Sequence, residues 1–157
     1  MDVLVAELRP GLWTWTAPHP EWHEQPVVRS YAFEREGALV LIDPISPPGE
    51  LTADRELQVA LTCPWHARSA PGLDAPDAEV ESRPGFYPDE RVIWLSEQGA
   101  LVFGDSFPGG PVPDEWLGDL TRDDYRAWLA GLLDLPAELA LPTHGDPGGR
   151  ELLERAL

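Results

Sequence analysis

The sequence predicts a single α/β domain, in which β-strands dominate the first two-thirds of the chain and helices come late. Its 157 residues suffice for one domain with a substantial core and are too few for two. Short apolar segments between Gly- and Pro-bearing turns indicate strands up to Phe103, and a clear helical pattern begins only at Thr121. This succession of elements is typical of a sheet-rich α/β sandwich.

The predicted strands are short apolar runs that end at turn signals. Pro10-Gly11 divides an opening hairpin, and Glu36-Gly37 joins the next two strands. The second of these is continuously apolar, as expected for a strand buried on both faces. A turn at Gln98-Gly99 joins a later pair. We predict a loop at residues 46–54, a brief strand around Glu79-Val80, and strands at 3–8, 12–16, 27–33, 38–42, 58–62, 91–95, 100–103 and 139–141.

One helix has both of its ends marked in the sequence. Thr121 is an N-cap residue with Asp124 three positions later, and apolar residues then recur at helical spacing until Pro136 ends the pattern. A second, shorter helix is predicted over residues 148–157. Both helices follow most of the strands.

Composition and charge exclude several classes of partner. The net charge of −17 argues against nucleic acids and anionic membranes as partners. The single Cys63 cannot form an internal disulfide. We see neither a signal peptide nor an apolar run long enough for a membrane span, and we therefore expect a cytoplasmic protein. The oligomeric state is not predicted.

Two segments place a polar residue at the end of an apolar strand. Residues 100–105, Ala-Leu-Val-Phe-Gly-Asp, end in Asp105, and residues 139–146, Leu-Ala-Leu-Pro-Thr-His-Gly-Asp, contain His144 before a flexible glycine. Such positions lie at the edge of a sheet, where metal sites and active sites are built. Asp105 and His144 are therefore the first candidates for catalytic residues and metal ligands.

These segments resemble the metallo-β-lactamase superfamily, whose members carry "LFxGD" and "PxHG" at their last two metal-ligand positions. Tyr31 to Pro44 is similar to the family's strand-turn-strand ending in "IDPG". The resemblance implies an αββα sandwich over residues 1–157. It also implies that Asp105 matches the metal-bridging carboxylate and His144 the last histidine ligand, and that Asp43 braces the metal site from behind.

The family's main signature, HxHxDH, is largely missing. The corresponding run is residues 62–68, Thr-Cys-Pro-Trp-His-Ala-Arg, which puts Cys63, Trp65, Ala67 and Arg68 at the ligand positions and His66 at an unmatched one. Phe86 stands where a further histidine is usual. The helices that flank this loop also look shortened or lost. The chain is thus similar to a short member with a degenerate metal site.

Three functional interpretations follow. In the first, Asp105 and His144 with Cys63 or His66 hold one ion at most, with zinc the expected metal, and a water bound to it attacks an ester, thioester, lactone or phosphodiester. In the second, Arg68 replaces the metal by pairing with Asp105, and the site binds a small molecule, such as an anion, or is inactive. In the third, the fold is a non-catalytic scaffold for interaction or regulation.

Other residues are candidates for the wall of the site, each with a plainer alternative. Those expected to line a pocket are His19, Trp22, His23, Asp43, Trp65, Arg68, Phe86 and Glu90. As alternatives, His19 and His23 are surface histidines, Trp65 packs in the core and Cys63 is a small buried residue. Asp43 could instead bond the turn after it, and Glu90 could be a solvated strand-edge charge. Asp105 and His144 could form a plain ion pair.

Overall fold

The computed structural model describes residues 4–19 and 27–157. The chain forms two compact units, Met1–Val80 and Glu81–Leu157. The predicted pocket residues Trp22 and His23 lie outside the described residues. The prediction of one domain over the whole chain stays a prediction.

The first unit is built on a five-stranded sheet in the order β1-β2-β3-β4-β5. Neighbouring strands are antiparallel except β4 and β5, which run parallel and are connected through the short helix α1. The predicted opening hairpin and the hairpin at Glu36-Gly37 are both present. The elements are β1 Val5–Arg9, β2 Leu12–Ala17, β3 Val28–Arg35, β4 Ala38–Ile42, α1 Gly49–Thr52 and β5 Glu56–Ala60, followed by 3-10 turns at Pro64–His66 and Ala70–Gly72.

The core of the first unit forms around β4, all of whose residues are buried, as its continuous apolar run predicts. Leu39 and Leu41 pack in one cluster with Trp15 of β2. The Trp15 indole N–H donates to the carbonyl of Ile45 at 2.8 Å, so the buried ring also fixes the loop after β4. This loop carries Asp43.

The second unit has a sheet of the same kind, in the order β10-β9-β8-β7-β6. The β8–β9 pair is parallel and the other pairs are antiparallel. Helix α2 provides the crossover between β8 and β9, as a parallel pair requires. The elements are β6 Ser82–Pro84, β7 Arg91–Leu95, β8 Ala100–Phe103, a 3-10 turn Asp114–Trp116, α2 Arg122–Leu132, β9 Leu139–Pro142, β10 Gly148–Gly149 and α3 Arg150–Glu154.

Helix α2 begins as its sequence predicts. The Thr121 hydroxyl accepts from the backbone N–H of Asp124 at 3.1 Å, and the Asp124 carboxylate accepts from the Thr121 N–H at 2.7 Å, which completes a capping box. Tyr125, Leu129 and Leu132 then face the core of the unit. Since these three residues lie on one face along the length of the helix, α2 is held by tertiary packing as well as by its cap.

Several predicted boundaries need correction. The expected loop 46–54 contains the helix α1, and β5 begins earlier than predicted because Glu56 and Leu57 extend the pairing with β4. No strand forms at Glu79-Val80. The strand lies a few residues later, at Ser82–Pro84, where the backbone pairs antiparallel with β7. Residues 148–149 pair with β9 before α3 starts, so the last helix is shorter than predicted. Among the described residues, no helix is long and apolar enough to cross a membrane.

Candidate functional site

Asp105 and His144 meet where two parallel strands of the second unit end. Phe103 of β8 lies opposite Pro142 of β9, and each strand is followed two positions later by one member of the pair. Nε2 of His144 lies 2.9 Å from Oδ1 of Asp105. The Asp105 side chain is 31% exposed and that of His144 7%, so solvent reaches the pair mainly at the carboxylate. Their roles as metal ligands stay predictions.

The loop after His144 is held by a close contact between two glycines. A Cβ at Gly145 would lie 2.6 Å from the Gly109 Cα, which is closer than a side chain can approach backbone. Gly109 itself has a φ of 86°, a conformation that favours glycine. Close packing against Gly109 therefore explains why a glycine stands at position 145, the last position of the "PxHG" segment.

A second Asp–His pair lies in the first unit, just after β4 and β5. Oδ2 of Asp43 lies 2.9 Å from Nδ1 of His66, and Thr62 donates its backbone N–H to Oδ1 at 2.8 Å and its hydroxyl to Oδ2. Because a carboxylate only accepts, Nδ1 of His66 carries a proton in this pair, and the neutral ring then has its lone pair on Nε2. The alternative that the Asp43 carboxylate bonds the turn after it is wrong.

Cys63 is buried beside this pair. Its sulfur lies 3.8 Å from the Thr62 hydroxyl and within 4.8 Å of a ring nitrogen of His66. Burial raises the pKa of the Cys63 thiol, and the hydrogen bond to His66 offsets this only in part. The thiol form is therefore favoured at neutral pH, as in an inert buried cysteine, while the nearby imidazole keeps the ligand interpretation open.

Arg68 fixes the ends of two strands of the first unit. Its Nη1 donates to the backbone carbonyls of Asp43 at 2.8 Å and Arg29 at 3.0 Å. The residue has a φ of 47°, which is uncommon for a side chain of this size. The guanidinium therefore ties the loop that carries Asp43 to β3. The predicted pairing of Arg68 with Asp105 stays a prediction.

A groove with a cavity volume of about 360 Å³ lies in the first unit. Three of the predicted pocket residues, His19, Trp65 and Arg68, line it together with Pro18, Ile45, Ser46 and Ser69. Trp65 is 53% exposed, so the alternative that it packs in the core is wrong. It follows Pro64 in a 3-10 turn whose only buried residue is His66.

Phe86 and Glu90 are placed by the packing of the second unit. The Phe86 ring packs 4.9 Å from the Tyr125 ring and 5.8 Å from that of Trp128, centroid to centroid. Glu90 is only 6% exposed, and both of its carboxylate oxygens accept hydrogen bonds from Ser106. The alternative of a solvated charge at Glu90 is therefore wrong, because Ser106 supplies the donors that water would otherwise provide.

Sequence reasoning missed Thr62 and Ser106, the two residues that bind the buried carboxylates. A signal was present in each case, since Thr62 directly precedes Cys63 and Ser106 directly follows Asp105. Short hydroxyl side chains next to candidate ligands are the kind of group that orients a site. Ser106 also lacks the surrounding motif of a hydrolase nucleophile, so its sequence context does not mark it as catalytic.

Comparisons with known proteins identify the fold. No protein-family model matches this chain, and no curated protein does. Solved metallo-β-lactamases match over nearly the whole chain. One from Erythrobacter litoralis has a TM-score of 0.71 at 15% identity, covering 99% of this chain and 91% of that one. DIM-1, solved after exposure to ceftazidime, has a TM-score of 0.68 at 13% identity, with 99% and 95% covered.

A third match is FIM-1 from Pseudomonas aeruginosa in its mono-zinc form, with a TM-score of 0.60 at 19% identity, covering 98% of this chain and 92% of that one. The chain therefore has the metallo-β-lactamase fold, an α/β sandwich, and this confirms the fold that the sequence resemblance implies. At these identities the likeness establishes the fold and leaves the reaction open.

Proposed function

We propose that this chain is a metal-dependent hydrolase that uses a single divalent ion, held by Asp105 and His144. The observation that carries the proposal is their 2.9 Å contact at the ends of two parallel strands. Carboxylate and imidazole are both zinc ligands, and two such groups this close together can bind the same ion. The mono-zinc form in which FIM-1 was solved supports a one-ion site in this fold.

The remaining ligands are proposed as Cys63, which the sequence resemblance puts at a ligand position, or His66, which lies three residues later at an unmatched position of the same run. Thiolate and imidazole are zinc donors, and a catalytic zinc needs three protein ligands and one open position. His66 also has a feature common among metal-binding histidines, because its Nδ1 contacts the carboxylate of Asp43. The donor set of the chain therefore fits zinc better than it fits magnesium or calcium, which prefer oxygen ligands.

The chain's own residues have distinct parts in this mechanism. A bound zinc ion would supply Lewis-acid polarisation and an activated water for hydrolysis. Asp43 holds the His66 ring in one orientation and one tautomer. His144 would bind the ion only through a ring nitrogen that carries no proton, and Asp105 would offer a carboxylate oxygen beside it.

The test is the metal content of the purified chain by elemental mass spectrometry. About one zinc, iron or manganese per chain is expected, and it is lost in the Asp105→Ala/His144→Ala double variant and kept in Asp134→Ala, which removes an exposed carboxylate. Cys63→Ala and His66→Ala, each measured singly, identify the further ligands. Loaded protein is then assayed on ester, thioester, lactone, phosphodiester and β-lactam substrates. Absence of metal after reconstitution would contradict the proposal.

A metal-free small-molecule-binding protein is the second candidate, favoured by the groove beside Trp65. Its volume lies in the range of ligand pockets, and an exposed indole offers a flat apolar surface next to polar groups. A chain that takes up no metal but binds small molecules with an affinity that Trp65→Ala abolishes would support this candidate over the hydrolase.

A further inference from the structure

We propose that Glu90 is a positioning residue for Asp105, and that it acts through Ser106. The inference rests on the proposed function in one respect, since it concerns the same carboxylate that is proposed to bind the metal. It goes further by assigning a role to a buried acid that lies outside the predicted ligand set.

The contacts between Glu90 and Ser106 are bidentate. The Ser106 backbone N–H donates to Oε1 of Glu90 at 2.9 Å, and its hydroxyl donates to Oε2 at 2.7 Å. Glu90 is 6% exposed and Ser106 fully buried, so water does not compete for these bonds. Hydrogen bonds to a carboxylate are stronger than those between neutral groups, and two of them restrain direction as well as distance.

Ser106 is held from two further sides. Its hydroxyl accepts from the Phe86 N–H at 2.9 Å, and its carbonyl accepts from the Tyr125 hydroxyl at 2.6 Å. Glycine at position 85 lets the chain approach Glu90, because a Cβ there would lie 2.9 Å from the Glu90 Cβ. The Gly85 N–H in turn donates to the Glu90 carbonyl at 2.9 Å. Ser106 thus has a fixed position relative to the core.

This arrangement controls Asp105 through the backbone. The amide bonded to Glu90 belongs to the peptide group that joins Asp105 to Ser106, so its direction sets the ψ angle of Asp105. The Asp105 side chain is partly exposed, and a fixed ψ angle restricts where its carboxylate lies relative to the His144 ring. Weakening the anchor should therefore change the Asp105–His144 contact before it unfolds the unit.

Glu90→Gln is the most direct variant, because it keeps the volume and changes one acceptor oxygen to a donor. One of the two Ser106 donors then loses its acceptor. Ser106→Ala is the second variant; it removes the hydroxyl bond and keeps the backbone bond to Oε1. Glu97→Gln, an exposed residue in the turn between β7 and β8, is the matched control.

The readout is the Nε2 nitrogen of His144, followed by long-range ¹H–¹⁵N correlation spectra of the metal-free protein. Asp105→Asn gives the signal of a ring whose carboxylate partner is lost. We expect Glu90→Gln to move the His144 signal most of the way to that value, Ser106→Ala to move it part of the way, and Glu97→Gln to leave it unchanged. A loss of stability alone would not shift the resonance of the folded state.

The same variants are then titrated with zinc by competition with a chelator. We expect Glu90→Gln to weaken zinc binding about 10- to 100-fold, the range for groups that orient a ligand. A His144 signal in Glu90→Gln identical to wild type overturns the proposal. If Glu90→Gln does not fold, an unchanged signal in Ser106→Ala overturns it. A shifted signal in a chain that binds no zinc supports the positioning role and refutes the metal site.

Discussion

Oδ1 of Asp105 lies 2.9 Å from Nε2 of His144, and this contact follows from the order of the strands. Asp105 comes after the second strand of a hairpin, and His144 after the strand that runs parallel to it. The first unit repeats the relationship, with Asp43 after β4 and His66 after β5, also 2.9 Å apart. In each unit, the parallel pairing of two strands brings an acid and an imidazole together at one edge of that unit's own sheet.

Asp43→Asn is expected to destabilise the protein by about 2–4 kcal/mol, because it places an amide donor in a buried site filled with donors. Thr62 offers two donors to the Asp43 oxygens, and His66 offers a third. Urea unfolding followed by tryptophan fluorescence measures the change. Asp54→Asn, at an exposed position of the same unit, is the control and should stay within about 0.5 kcal/mol. Equal effects of the two substitutions would contradict the assigned network.

Arg68→Ala is expected to lower the free energy of unfolding by about 2–3 kcal/mol, because it removes a charged donor from two backbone carbonyls. An ion pair with Asp105, as the sequence predicts, would add to this loss. Arg126→Ala removes an exposed partner of Asp123 and should cost at most about 0.5 kcal/mol. A change of only a few tenths of a kcal/mol in Arg68→Ala would contradict both claims. The carbonyl contacts of Arg68 would then not stabilise the fold, and Arg68 would not replace a metal ion by pairing with Asp105.

The edge positions of Asp105 and His144 could be predicted because each follows an unbroken apolar strand. Such a run defines both the strand and the point at which it leaves the sheet. The helix start at Thr121 could be predicted for a similar reason, since a capping box is a local pattern that needs no tertiary context.

The burial of Glu90 could not be predicted in the same way. Glu90 stands between Asp89 and Arg91, which gives it the appearance of a surface charge, and its donor Ser106 comes from the far end of the hairpin. Only the pairing of β7 with β8 brings the two together. The exposure of Trp65 could not be predicted for the opposite reason: a large aromatic residue is usually buried, but a 3-10 turn with His66 as its buried residue leaves this one exposed.

Thr121→Ala is expected to cost about 1 kcal/mol of stability, because the first turn of α2 loses its N-cap. The effect of Asp124 depends on pH. Hydrogen bonds from the backbone and hydroxyl of Thr121 lower the pKa of Asp124. Its contribution is therefore present above the unfolded-state pKa, about 3.9, and is lost as pH falls through the lower folded-state value.

Asp124→Asn should accordingly lower the urea midpoint most at neutral pH, and the difference from wild type should shrink in acid. Unfolding curves from about pH 7 down to pH 2 measure this. The matched control is Asp123→Asn, whose carboxylate is exposed and only weakly paired with Arg126. A difference that is constant over this pH range would show that the Asp124 charge does not stabilise the helix start.

The Cys63 thiol is expected to react slowly with a disulfide reagent in the folded protein, because burial removes access and raises the pKa of the thiol. At about pH 8 each unit of increase in pKa lowers the thiolate fraction roughly tenfold relative to the unfolded chain. The raised pKa contributes stability below the unfolded-state value, about 8.5, and this is lost as pH rises through the folded-state value. Cys63→Ala should therefore lose less stability in alkali than wild type.

The slow reaction of the Cys63 thiol is tested by its rate of reaction with the disulfide reagent in the presence and absence of urea. If Cys63 is also a ligand, one equivalent of zinc slows the reaction further, and equal rates in folded and unfolded protein would rule out the buried position.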